Sequence, residues 1–92
     1  MLFLVRMDVH QPANMPLDEF NAIKATEREY SQDLQRTGVW THIWRVAGGY
    51  SNYSIFDIES NDSLHDVISG LPLFRYMDVQ VTALAHHPSD IH

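Results

Sequence analysis

Glu27 is the residue of this chain whose position departs most from an ordinary packing pattern. Between Leu17 and Thr37 the apolar residues follow a helical period, and four of them share one stripe: Phe20, Ile23, Tyr30 and Leu34. Glu27 falls at the centre of that stripe, seven residues from both Phe20 and Leu34. A carboxylate on a core-facing stripe loses hydration unless it is paired or opens onto a cavity. The sequence therefore marks Glu27 as a candidate for proton transfer.

Lys24 precedes Glu27 by three residues and so lies next to it on the surface of a helix. Desolvation would raise the pKa of Glu27, whereas a neighbouring ammonium would lower it. A carboxyl group poised between these two effects can take and return a proton. The alternative interpretation is a structural ion pair of Lys24 with Glu27 at the margin of the helix, and the residue pattern alone leaves both open.

Arg45 and Tyr53 are further candidates, in a segment rich in aromatic and β-branched residues. Arg45 lies in the middle of a predicted strand, where a guanidinium could bind a carboxylate in bidentate fashion. It could equally stack on an aromatic neighbour. Tyr53 offers a hydrogen-bonding hydroxyl, although a tyrosine in a strand is ordinarily a packing residue. Both interpretations stay open for each residue.

The histidines do not form a pattern typical of a metal site. His86 and His87 are adjacent and would point apart in an extended segment, while His42 and His65 are isolated. The chain has no cysteine, which excludes disulfides, thiolate nucleophiles and zinc–thiolate sites. It also lacks a glycine-rich phosphate loop and a GxSxG motif. We therefore expect no metal.

The elements that must position these residues follow the order β-α-β-β-α-β. Residues 1–10 alternate as a half-buried strand, and Gly38 is a suitable stop for the first helix. Gly48-Gly49 separates two strands of a hairpin between Trp40 and Ile58. A second helix starts at Ser60 or Asn61 and ends at Gly70 and Pro72, and a last strand covers residues 76–83. This order predicts a ferredoxin-like domain over residues 1–92, in which two helices cover one face of a four-stranded antiparallel sheet.

The other face of this sheet is expected to be apolar. Strand alternation places Trp40 and Trp44 on one face of the hairpin, and we expect that face, with Phe56, to be the uncovered one. A chain of 92 residues buries little surface alone. An apolar sheet face that would otherwise be exposed to solvent therefore predicts association between subunits.

The composition limits the possible partners. A formal net charge of -6, without any basic patch, argues against nucleic acid. No apolar run approaches the roughly 20 residues of a membrane span, and the first ten residues lack the charge pattern of a signal peptide. We therefore expect a cytoplasmic protein.

Several short stretches, in order along nearly the whole chain, resemble one known family. They include MLFLVRMDV at residues 1–9, Lys24-Ala25 with Glu27, Trp44-Arg45, Asn52-Tyr53-Ser54, Leu64-His65-Asp66, and LPLF at residues 71–74 followed by Tyr76-Met77-Asp78. Together they are similar to the muconolactone Δ-isomerase family of catechol breakdown. Residues 10–22 match least well.

This resemblance implies a ferredoxin-like subunit of a homodecamer that uses no metal or organic cofactor. It implies that muconolactone is converted to 3-oxoadipate enol-lactone, with Glu27 as the base and Lys24 polarising the lactone carbonyl or stabilising the dienolate. Arg45 or His65 would hold the carboxylate of the substrate. Tyr53, Trp40 and Phe74 would line the pocket.

Two alternatives stay open beside the isomerase. A chloromuconolactone dehalogenase of the same family would remove the same proton and then lose chloride. A non-catalytic dimeric α+β module that binds a small ligand is the alternative from another class, because a ferredoxin-like fold hosts many functions.

Overall fold

The computed structural model describes residues 1–92 and contains one sheet, two α-helices and a short 3-10 helix. Its strands are β1 (Leu2–Val9), β2 (Trp40–Arg45), β3 (Asn52–Asp57) and β4 (Met77–Leu84). Its helices are α1 (Leu17–Arg36) and α2 (Asn61–Ser69), and the 3-10 helix spans Phe74–Tyr76. The strands are all antiparallel, in the order β2-β3-β1-β4. The predicted fold class is confirmed, and only the 3-10 helix was not foreseen.

Local sequence signals explain where the helices begin and end. At the end of α1, Gly38 adopts a φ of 85°, a conformation that costs little only for glycine. At the start of α2, the Ser60 hydroxyl accepts a hydrogen bond of 3.0 Å from the backbone N–H of Ser63. Gly70 caps the other end of α2. The helix boundaries predicted from the sequence are therefore correct to within one residue.

The core lies between the helices and one face of the sheet. It contains Phe3, Val5 and Met7 of β1, together with two residues of the hairpin and three from α2 and the residues after it: Trp40, Phe56, Leu64, Ile68 and Leu71. Two residues of α1, Tyr30 and Leu34, pack against this cluster. Each fully buried large side chain stabilises the fold by roughly 1.5–3 kcal/mol. Both helices therefore cover the same face of the sheet.

A β-bulge at Thr41 changes the predicted faces of the hairpin. Trp40 pairs with Phe56, but His42 pairs with Ile55, so one residue of β2 has no counterpart in β3. Trp40 is only 2% exposed, and its ring lies 4.7 Å from that of Phe56 inside the core. Trp44, beyond the bulge, is 55% exposed on the opposite face. The prediction that Trp40 and Phe56 lie on the uncovered face is therefore wrong, and it is confirmed for Trp44.

The hairpin turn is longer than the two glycines suggested. Val46 donates its backbone N–H to the carbonyl of Ser51 at 2.9 Å, so four residues lie between the last paired positions. Of the two glycines only Gly48 has a positive φ, of 83°.

The uncovered face of the sheet, called the open face below, is still largely apolar. Alternation and register assign to it five large apolar side chains: Leu2, Leu4, Trp44, Ile55 and Leu84. At its centre Arg6 donates to a carboxylate oxygen of Asp8 at 3.1 Å and to the hydroxyl of Tyr53 at 2.6 Å. Neither α1 nor α2 combines the length and the apolarity that crossing a membrane would require.

Candidate active site

The carboxyl group of Glu27 lies half-buried where α1 meets the chain that follows α2. Its Oε1 accepts a hydrogen bond from the backbone N–H of Leu73 over a long N···O distance of 3.4 Å. Burial raises the pKa of Glu27, and the hydrogen bond from Leu73 partly opposes that rise. The predicted desolvated carboxyl group is therefore present, and a backbone amide is the polar group that contacts it.

A sequence of tight turns presents the Leu73 amide to Glu27. After α2 the Leu71 N–H donates to the Ile68 carbonyl at 3.0 Å, and the Phe74 N–H donates to the Leu71 carbonyl at 2.9 Å. The side chains of Leu71 and Leu73 are both buried and fix these turns to the core. Glu27 therefore faces a segment that is held at both its backbone and its side chains.

A cavity of about 560 Å³ is lined by neighbours of Glu27, although Glu27 itself is not one of its lining residues. Ile23 and Thr26 of α1 line one side, and the other side is formed by the end of α2 and the residues after it: Ser69, Leu71, Pro72, Phe74, Arg75 and Tyr76. Ile23 lies one helical turn before Glu27, and Leu71 and Pro72 directly precede the amide that contacts its carboxyl group. The volume is that of a small-molecule site.

A second cavity of about 320 Å³ lies on the other side of Phe74. Asn61, Leu64, His65 and Ile68 of α2 line it together with Val79 and Val81 of β4. Phe74 therefore lines both cavities.

Lys24 does not pair with Glu27. Its ammonium lies over the ring of Phe20, 5.7 Å from the ring centroid, and Lys24 forms no ion pair with any carboxylate. The pKa of Glu27 follows from burial and from Leu73, without a contribution from Lys24. The structural ion pair considered from the sequence is therefore not formed.

Three of the predicted substrate-binding residues line neither of these two cavities. Arg45 lies at the end of β2, where it donates to the Tyr50 carbonyl at 2.9 Å and stacks over the Tyr50 ring. Tyr53 lies on the open face beside Arg6, and Trp40 lies in the core. Of the other predicted site residues, Phe74 lines both cavities and His65 lines the second, whereas Glu27 lines neither and contacts the segment that borders the first.

Arg75 and the Leu73 amide are the polar groups at this site that the sequence did not reveal. Arg75 belongs to the 3-10 helix and lines the cavity next to Glu27. It forms no ion pair within the protein. The only feature of the sequence that could have indicated Arg75 as a site residue was its position, directly after the turn at which α2 ends.

Replacing Glu27 by glutamine is expected to raise the free energy of unfolding at pH 7, because burial disfavours the charged carboxyl group. The pKa of Glu27 is higher in the folded than in the unfolded chain, so wild-type stability falls as the pH rises from the ordinary glutamate value through the raised one. The Glu27→Gln variant does not titrate in that window. The difference in the free energy of unfolding between the variant and the wild type should therefore shrink as the pH is lowered. Urea unfolding at a series of pH values measures this, and an advantage that does not depend on pH would contradict it.

The comparison with known proteins agrees with this geometry. A sequence model of the family described as muconolactone delta-isomerase matches residues 1–90. The chain belongs to the muconolactone Δ-isomerase family. Over 91 residues it is 59% identical to the muconolactone Δ-isomerase of Acinetobacter baylyi, with 99% of this chain and 95% of that protein covered. It is 56% identical to that of Cupriavidus pinatubonensis, with 99% of both covered.

A solved structure of a muconolactone isomerase has the same fold. The TM-score is 0.94 at 51% sequence identity, and the match covers all of this chain and 96% of that one. The site described above therefore lies in a fold that this chain shares with that muconolactone isomerase.

Proposed function

We propose that this protein isomerises muconolactone to 3-oxoadipate enol-lactone, with Glu27 as the group that carries the proton. The observation that supports this most strongly is the half-buried Glu27 carboxyl group, with its raised pKa, in contact with the segment that borders a cavity of small-molecule size. The relatives compared above are named for this reaction.

The reaction needs no co-reactant, because one proton leaves and one returns. The Glu27 carboxylate removes a proton from the saturated ring carbon that is attached to the far end of the conjugated C=C–C=O system. The electron pair moves into the ring and gives a dienolate. The protonated Glu27 then delivers the proton to the ring carbon next to the carbonyl, two carbons away, and the double bond shifts by one position. A raised carboxyl pKa suits both steps, since the group must hold the proton between them.

Lys24 is the proposed source of positive charge for the dienolate. To act in this way its ammonium must leave the ring of Phe20. A cation–π contact at an exposed site is worth about 0.5–1 kcal/mol, so this movement costs little. A positive charge that approaches the reacting carbonyl would stabilise the transition state more than the ground state.

Arg75 is better placed than Arg45 to attract the free carboxylate of the substrate, since it lines the cavity. Arg75→Gln is expected to raise KM by roughly fivefold at most, the effect of one exposed charge worth about 1 kcal/mol. The value of kcat should not change, and the effect should weaken at high salt. Arg45→Gln is the matched control and should leave KM unchanged. A larger effect at Arg45 would restore the first assignment.

Turnover of muconolactone, followed by the change in ultraviolet absorbance, tests the proposed activity. A parallel assay with a chlorinated lactone measures chloride release. Preferred chloride release would identify a dehalogenase, and no turnover of either lactone by folded protein would support the non-catalytic ligand-binding module.

His65 and Phe74 line the second cavity. We propose that they contact the part of the lactone that lies away from Glu27.

We propose that the open face packs against a second copy of the chain, because neither helix covers its five large apolar side chains. The homodecamer implied by the family resemblance stays a prediction, as do the cytoplasmic location and the lack of a metal or organic cofactor.

A further inference from the structure

Tyr30 and Glu27 lie one helical turn apart on α1, and both contact the chain that ends α2. The Tyr30 hydroxyl donates to the carbonyl of Val67 at 3.1 Å, whereas Glu27 accepts from the amide of Leu73. The two side chains therefore bind the beginning and the end of one short segment, residues 67–73. Burial and the negative charge of Glu27 raise the pKa of Tyr30, which agrees with their closeness.

The Val67 carbonyl is free to accept this bond because α2 tightens in its last turn. In a continuing α-helix the Leu71 N–H would donate to Val67, four residues earlier. Here the Leu71 N–H donates to Ile68 instead. The Tyr30 hydroxyl therefore satisfies a carbonyl at the end of the helix that has lost its regular backbone donor.

Gly70 makes room for the Tyr30 hydroxyl. A Cβ atom at residue 70 would lie 2.8 Å from the Tyr30 oxygen, too close for any real contact. It would lie 3.3 Å from the backbone carbonyl oxygen of Asp66, a tight contact, and 3.6 Å from the ring carbon that bears the Tyr30 hydroxyl. The φ of Gly70 is -81°, which every residue adopts readily. The Tyr30 hydroxyl is thus the group that most obstructs a side chain at this position, and the backbone conformation does not require a glycine.

We propose that Tyr30 is a positioning residue for Glu27: its hydroxyl, seated over Gly70, holds the end of α2 so that the Leu73 amide faces the Glu27 carboxyl group. This inference rests on the proposed role of Glu27. It assigns to Tyr30 no contact with the substrate. Loss of the hydroxyl, or its displacement by a methyl group, lets residues 71–73 move away from Glu27.

The experiment compares Tyr30→Phe, Gly70→Ala and the double variant. Each is assayed for kcat/KM over pH, and the Glu27 carboxyl group is titrated directly by 13C NMR. The Leu73 hydrogen bond lowers the pKa of Glu27, so the titration midpoint should rise in each single variant. We expect Gly70→Ala to lower kcat/KM by roughly threefold or more in the wild-type background and to have a clearly smaller effect when Tyr30 is phenylalanine, since contacting pairs are not additive.

Matched controls separate this effect from general consequences of the substitutions. Gly49→Ala adds a methyl group where the nearest heavy atoms are 4.0 Å away, and Tyr50→Phe removes an exposed hydroxyl. Neither substitution should change the titration midpoint of the Glu27 carboxyl group. Lys24, one turn before Glu27 on α1, and Arg75, which lines the neighbouring cavity, are present in every variant.

The outcomes are distinct. Unchanged Glu27 midpoints in folded Tyr30→Phe and Gly70→Ala proteins would overturn the inference, and so would an additive double variant. If Gly70→Ala fails to fold, rescue by Tyr30→Phe supports the proposal and lack of rescue contradicts it. Shifted midpoints in a protein that does not convert muconolactone would refute the proposed function and leave the positioning contact standing.

Discussion

Glu27→Gln should lower kcat for muconolactone by roughly 10²- to 10⁴-fold, the usual contribution of a positioned general acid–base group. An amide of the same size cannot accept the proton that must leave the ring. It can still accept the hydrogen bond that Leu73 donates to Glu27, so the local structure should persist. The loss should therefore appear in kcat, with the size of the assembly and the circular dichroism spectrum unchanged.

The matched control is Glu29→Gln, two residues further along the same helix. Glu29 is exposed and does not line the cavity, so Glu29→Gln removes the same charge away from the proposed site. Glu29→Gln should keep near wild-type kcat. Full activity of Glu27→Gln would remove the base assignment, whereas equal losses in both variants would point to the net charge of the helix instead.

The acid at this site was visible in the sequence because a helix repeats its faces regularly. Phe20 and Leu34 are each seven residues from Glu27, which fixes its direction whatever the tertiary structure. The same regularity gave both helices and their ends, since Gly38 and Ser60 act through local backbone geometry. Period and capping are local properties, and these parts of the prediction are correct.

The partners of Glu27 could not be predicted in the same way. A backbone amide such as that of Leu73 exists at nearly every residue, so nothing in the sequence marks the one that is used. Lys24 has the right spacing for an ion pair, but a long exposed side chain can choose between several partners, and here it lies over Phe20. The place of Arg75 depends on a 3-10 helix of three residues, which is too short to show a period.

The faces of the hairpin were mispredicted for a different physical reason. An assignment of faces by alternation assumes that each residue of one strand pairs with one residue of the other. The bulge at Thr41 adds an unpaired residue to β2 only. Trp40 is thereby turned into the core while Trp44 stays on the open face. No glycine marks this bulge, and the sequence pattern reads as an unbroken strand. The expectation of an apolar open face still holds, because Leu4 of β1 and Ile55 of β3 supply what Trp40 and Phe56 do not.

Ile55→Glu is therefore expected to dissociate the proposed assembly into folded monomers. Ile55 lies within the open face and pairs with Leu4 on one side and His42 on the other. A carboxylate buried there costs several kcal/mol, because Arg6, the cation on this face, is already bound to Asp8 and Tyr53. Each 1.4 kcal/mol is about a tenfold change in an association constant. The core residues are all on the other face, so the monomer should keep its fold.

Sedimentation velocity and circular dichroism of the purified variant measure these two properties. The matched control is Ala25→Glu, which adds the same charge to an exposed residue of α1 that lies about 200° around the helix from Glu27. A wild-type sedimentation coefficient for Ile55→Glu would mean that the open face is not where the subunits meet. A monomer that keeps the Glu27 titration midpoint, however, would show that one chain alone creates the environment of this carboxyl group. The assembly would then contribute stability to the fold but not the chemistry of Glu27.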